Sequence, residues 1–148
     1  MIEVEWSLAD DYFLRGFAYH DGTIEEFRYG SVLEGCSKRR DLLLDVANLQ
    51  NETVHLRFSG VEVLRVTELW EGSIVNTISA ARLSDAAATH LPVQEFWRSL
   101  QSNEAGIRNM VSRFGGHLVV VVTGSYGCEF SLLCEGLRVS KTPLPSPT

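Results

Sequence analysis

The residues able to do chemistry are few and scattered. The four histidines are His20, His55, His90 and His117, and no two stand at the spacing of helix-borne metal ligands. His20-Asp21 is the one pair with catalytic character, because a carboxylate can orient an imidazole. Adjacent residues of an extended chain point opposite ways, so this pair is not expected to form. His55 alternates with apolar neighbours and belongs on the polar face of a strand. His117 precedes an apolar run, where a hydrogen-bonded structural role is expected.

Cys36, Cys128 and Cys134 are odd in number and make no CxxC motif, so full pairing within the chain is ruled out and redox or metal work is unsupported. Cys128 and Cys134 lie an even number of residues apart and read as small core residues. Asp10-Asp11 and Glu25-Glu26 are paired carboxylates without a second ligand set nearby. Gly124-Ser125-Tyr126-Gly127 joins two strands, whereas a phosphate cradle sits where a strand meets a helix. No GxSxG, HExxH or Walker pattern occurs. The expectation is therefore no catalytic residue, no metal and no cofactor. In particular, no nucleophile is expected within hydrogen-bonding reach of a histidine oriented by a carboxylate.

Charge is more informative. The net charge is −6, and the first 34 residues hold eight acids, Glu3, Glu5, Asp10, Asp11, Asp21, Glu25, Glu26 and Glu34, against Arg15 and Arg28. The remainder is balanced. Phosphate binding needs a basic surface, so nucleic acid is not an expected partner. A basic protein partner is compatible with the acidic segment, with Asp10, Asp11, Asp21, Glu25 and Glu26 as its candidate contacts. The alternative is a solvated acidic face that only aids solubility. The first residues lack the basic start and apolar run of a secretory signal, and the longest apolar run, 118–122, is far short of a membrane span. These features read as a cytoplasmic protein with no membrane association.

The elements that must position these residues are mostly strands. Residues 2–6 alternate apolar and acidic side chains, a period of two. A second apolar stretch covers 12–19, His20-Asp21-Gly22 is a tight turn, and 23–29 form a strand closed by Gly30. The stretch 35–40, with Lys38, Arg39 and Arg40, reads as an exposed loop. Strands follow at 41–46, 54–58, 61–69 and 74–83, separated by turn chemistry at 48–52, Ser59-Gly60 and Glu71-Gly72. Residues 84–90 are alanine-rich and fit neither period. From Pro92, Val93, Phe96, Trp97 and Leu100 recur at helical spacing, as do Ile107, Met110, Val111 and Phe114, giving one kinked helix or two short ones capped by Gly115-Gly116. A fully apolar central strand at 117–123 turns through Gly124–Gly127 into a return strand at 128–134, and 137–140 form a short last strand.

The predicted fold is α+β: a mainly antiparallel β-sheet with one helical region, 92–114, packed on one face. Residues 1–140 form one domain. Residues 141–148, with Pro143, Pro145 and Pro147, form a Pro-rich tail.

Three stretches carry a resemblance: His20-Asp21-Gly22-Thr23-Ile24, Leu42-Leu43-Leu44-Asp45, and Val54-His55-Leu56-Arg57-Phe58-Ser59-Gly60-Val61. With the hairpin that begins Gly124-Ser125, they resemble small bacterial domains of uncharacterised function, some of them immunity proteins of polymorphic toxin systems. The resemblance implies a protein-binding module that neutralises a toxin. The other reading is a small-ligand protein or enzyme whose site is dispersed along the chain. A deep pocket with convergent polar groups favours the latter, and a flat or convex acidic surface the former. The sequence does not fix an oligomeric state.

Overall fold

The computed structural model of the chain describes all residues except 35–36, 71, 85–90, 102, 126–127 and 145–148, and describes the backbone alone for 32–34, 37–38 and 91. The expectations for Cys36, Glu71, His90, Tyr126, Gly127, Pro145 and Pro147 lie outside the described residues.

The elements in chain order are β1 (Ile2–Val4), β2 (Ser7–Leu8), β3 (Leu14–Arg15), β4 (Thr23–Glu34), β5 (Ser37–Ala47), β6 (Glu52–Ser59), β7 (Val63–Glu68) and β8 (Ile74–Arg82). The helices α1 (Leu91–Leu100) and α2 (Glu104–Phe114) follow, then β9 (Leu118–Ser125), β10 (Glu129–Cys134) and β11 (Gly136–Pro143). Nine strands form one sheet in the order β1-β11-β6-β5-β4-β8-β9-β10-β7, and every described pairing is antiparallel. The expected α+β class, an antiparallel sheet with helices on one face, is what the chain adopts.

The sheet folds back on itself at β4 and β8, whose ladder has the single residue pair Thr23↔Ile74. Alternation explains why. Leu42, Leu44 and Val46 of β5, Val54, Leu56 and Phe58 of β6, and Val139 of β11 are buried on one face. They meet Ile78 and Ala80 of β8, Val120 and Val122 of β9, and Phe130 and Leu132 of β10 in one core. Phe27 of β4 meets Phe130 edge-on, with ring centroids 5.4 Å apart. A five-stranded half, β1-β11-β6-β5-β4, therefore lies over a four-stranded half, β8-β9-β10-β7, with apolar inner faces in contact.

The outer face of the four-stranded half carries a second core. Val119 and Val121 of β9, Leu133 of β10 and Ala81 of β8 pack against Val93, Phe96 and Trp97 of α1. This explains the unbroken apolar run of β9: its alternate residues enter different cores, so both faces are covered. The helical region is two helices. Asn103 caps α2, its side-chain oxygen accepting from Gly106 N at 2.8 Å.

Several boundaries differ from the sequence reading. Gly30 does not close β4, which runs on to Glu34. Lys38, Arg39 and Arg40 belong to β5 and not to a loop. A long two-stranded ribbon needs no apolar alternation at its far end, which is why the polar stretch read as a loop. The apolar stretch 12–19 contributes only two residues, Leu14–Arg15, to a strand. The last strand reaches Pro143, past the expected start of the tail at 141. The helical region was read as packed on one face over its whole length, but α2 contains no buried residue; Ile107, Met110, Val111 and Phe114 lie half-buried at the rim of the second core. Gly115 ends α2 in a right-handed conformation, not the left-handed one usual for a terminal glycine.

Candidate functional site

The outer face of the five-stranded half is polar because strand alternation puts the other half of each pattern there. Leu43 and Asp45 of β5 and His55 and Arg57 of β6 are the outward partners of buried neighbours. Register then aligns them into two adjacent rows. One runs Glu3, Ser140, His55, Asp45, Glu26, and the other Arg138, Arg57, Leu43, Arg28. A shallow depression of about 550 Å³ lies over both rows.

The charges in the rows are held by neighbours. Arg138 donates from Nη2 to Glu3 at 2.8 Å, and Arg28 pairs with Glu26. Arg57 donates from Nε and Nη2 to Oδ2 of Asp41 at 3.0 and 2.8 Å. Asp41 is 3% exposed, and its other oxygen accepts from Gly60 N at 3.2 Å and lies 3.3 Å from Arg39 Nε. Arg138 and Arg57 stand directly opposite each other, an unfavourable like-charge register unless each has its own anion. On the inner side of β11, Lys141 reaches Glu52 at 3.0 Å, and that contact, with the hydrogen bond from Asn48, lowers the pKa of the Glu52 carboxyl.

His55 is the centre of this face. Its Nδ1 lies 2.8 Å from Asp45 Oδ1 and its Nε2 lies 2.9 Å from Thr142 Oγ1. With the proton on Nδ1, Asp45 accepts from the ring and Nε2 accepts from the threonine hydroxyl. This is the connectivity of a base-activated nucleophile, and it corrects the expectation that no such pair lies within reach. The three groups come from β5, β6 and β11, so no linear motif announces them; only the outward alternation of His55 was visible. The arrangement orients more readily than it catalyses. Thr142 is exposed. Backbone N–H groups of a paired strand lie in the plane of the sheet, so the paired strands around Thr142 project no backbone donor towards a developing oxyanion.

The acidic residues expected to form a contact surface are dispersed over several elements. Asp10 and Asp11 lie at the tip of the β2–β3 hairpin, where Asp11 accepts from Phe13 N at 3.1 Å and faces Arg15 at 3.6 Å. Asp21 sits in the turn before β4 with φ 61°. Glu25 falls at a bulge in β4, exposed, and Glu26 alone stands on the two-row face. His20 and Asp21 do meet, Nδ1 to Oδ2 at 3.2 Å, because the positive φ removes the extended geometry assumed for them. His20 also lines an open groove of about 470 Å³ with Phe13, Phe17, Asn76 and Thr77.

Cys128 and Cys134 are free and buried, and burial pushes their thiols up to about 11 and about 12. His117 Nε2 is buried and finds no hydrogen-bond partner among the described residues, against the expectation of a hydrogen-bonded structural histidine. No helix among the described residues is long and apolar enough to cross a membrane. Comparison with protein-family models, with curated proteins and with solved structures finds no match.

Proposed function

We propose that this chain is a protein-binding module whose contact surface is the outer face of the five-stranded half. One observation carries the reading. Helix α1 covers the outer face of one half of the sheet, while the corresponding face of the other half carries two aligned rows of side chains, one holding Glu3, Asp45 and Glu26 and the other Arg138, Arg57 and Arg28. Charges already held by neighbours lose little freedom on docking, and arginine is enriched in interface cores. The concavity over the two rows is open to solvent, which suits a protein surface better than an enclosed small molecule.

The partner is a basic protein. The excess acidity of the first 34 residues steers it from a distance, and the two-row face sets its register once docked. Within that class, a toxin-neutralising immunity protein is the function that the resemblance of the turns and strands implies; its partner would be a basic toxin held in the cytoplasm.

The test uses the full chain immobilised as bait in extract of its source cell, with the captured protein then purified for kinetics. Arg28→Ala with Arg138→Ala should speed dissociation tenfold or more. Replacing Asp10, Asp11, Glu25 and Glu26 by their amides should slow association and flatten its dependence on salt. Unchanged rates in both variants would remove this face and the acidic segment from the interaction.

The hydroxyl–imidazole–carboxylate chain of Thr142, His55 and Asp45 supports a second reading, an enzyme with a dispersed site. Turnover of a simple ester by the full chain, lost in Thr142→Val, would favour it. Equal background hydrolysis by both would dismiss it.

A further inference from the structure

At one end of the sheet three turns bring together a histidine and two carboxylates. Glu62 lies just before β7, His117 between α2 and β9, and Glu135 between β10 and β11. One ligand atom of each, a ring nitrogen and two carboxylate oxygens, lies within 4.8 Å of the other two. We infer that these residues bind a divalent transition-metal ion.

The geometry of His117 is the first argument. Its Nε2 is buried and lacks a hydrogen-bond partner among the described residues, and the nearest carboxylate oxygen, Oε1 of Glu62, is 3.9 Å away. That separation is too long for a hydrogen bond. It lies inside the limit of about 4.2 Å spanned by two metal–ligand bonds of about 2.1 Å each, and a small rotation of the exposed Glu62 carboxylate closes it to the shorter separation of a tetrahedral site. An orphaned buried nitrogen is costly, and a metal ion would satisfy it.

The second argument is charge. The two exposed carboxylates repel each other weakly through water, and a cation between them turns that repulsion into attraction. Two carboxylates and one neutral imidazole offset the charge of a divalent ion. The imidazole selects zinc and its transition-metal neighbours over magnesium or calcium, which prefer oxygen alone. Three protein ligands leave a position for water.

The third is that the backbone at each ligand is fixed. Glu62 N donates to Leu133 O at 2.8 Å, His117 N to Phe114 O at 2.9 Å, and Glu135 N to Ser59 O at 2.9 Å. The His117 ring meets Phe114 edge-on at 5.2 Å. Gly60, at φ 61°, leaves room for the Glu135 side chain, since a Cβ there would lie 2.5 Å from Glu135 Cδ. The side chains of Glu62 and Glu135 are exposed enough to rotate onto an ion. A bound ion would tie the β6–β7 bend, the α2–β9 junction and the β10–β11 turn together.

The experiment is calorimetric titration of the full, chelator-stripped chain with zinc chloride, followed by thermal melting. One ion per chain and a raised melting temperature are expected. Glu62→Gln and Glu135→Gln, amide changes at exposed positions, should each weaken binding tenfold or more. His117→Gln should abolish it, and His20→Gln and His55→Gln should leave it unchanged. If His117→Gln does not fold, the two glutamate variants decide. Cys36→Ser separates the remaining thiol: binding that vanishes in this variant overturns the assignment. So does an absence of binding, an affinity unmoved by both glutamate variants, or magnesium binding as tightly as zinc.

Discussion

Asp41 shows how one buried charge organises a polar face. At 3% exposure it accepts from Arg57 and Gly60 and pairs with Arg39, so it joins β5, β6 and the bend after β6. Asp41→Asn removes the charge while keeping the size. Hydrogen bonds to a charged group are worth about 1.5–3 kcal/mol, so the variant should lose about 2–3 kcal/mol in chemical denaturation. It should also loosen Arg57 on the proposed contact face. The two buried thiols give a second test at this scale. Folding raises their pKa from 9.0 to about 11 and about 12, so the native chain keeps protons that an unfolded chain gives up. Their contribution is fully present at neutral pH and is lost as pH rises above 9. Iodoacetamide at pH 8 should therefore label neither Cys128 nor Cys134 in the native protein and both in denaturant, as mass spectrometry of the peptides would show. Labelling of either in the native state would place it outside the core. Their place in the core was legible in the sequence, because spacing and neighbours sufficed. The meeting of His55 with Asp45 and Thr142 was not, because it depends on register between three strands.

Among the elements, the two helices have similar sequence patterns and different roles. Val93, Phe96 and Trp97 of α1 are buried against β8, β9 and β10, whereas the matching positions of α2 remain half-exposed. A stripe at helical spacing specifies an apolar face but not what covers it. In α1 the covering surface is the outward half of β9, and α2 reaches only its margin. Phe96→Ala should cost about 3–5 kcal/mol, the range for a buried aromatic. Met110→Ala should cost about 1 kcal/mol, as for an ordinary partly buried site. Equal losses, measured by urea denaturation followed by circular dichroism, would contradict this division. The strands were legible where one face is buried, as in 54–58, where Val54, Leu56 and Phe58 alternate with His55 and Arg57. They were not legible in the ribbon around Lys38, Arg39 and Arg40. There the hydrogen bonds between β4 and β5 supply the structure, and side-chain pattern adds little.

At the scale of the whole molecule, the two halves of the sheet share one core, and each half is the other's cover among the described residues. Removing the five-stranded half would expose Ile78, Val120, Val122 and Phe130, and removing the other would expose Leu44, Leu56 and Phe58. Neither half has a reason to persist alone, although the ladder between them consists of the single pair Thr23↔Ile74. Packing between the faces is joined at the fold line by backbone hydrogen bonds from Asp21 N to Val75 O, Val75 N to Gly22 O and Ile24 N to Ser73 O, each 2.8 Å. The helices attach through the second core, which shares β8, β9 and β10 with the first, so their loss also removes cover from the outward face of β9. Trp6 and Trp97 sit in these two regions: Trp6 packs at the margin of the first core with Nε1 bonded to Leu137 O at 2.9 Å, and Trp97 packs in the second core. Variants retaining only Trp6 or only Trp97, with the exposed Trp70 replaced by Phe, report the two regions separately. Within each variant the fluorescence transition in urea should coincide in midpoint and slope with the circular dichroism transition of the same variant, the behaviour of a cooperative unit. In the variant retaining Trp97, a fluorescence midpoint below the circular dichroism midpoint would show that the helical layer melts first and that the two halves of the sheet hold together without it.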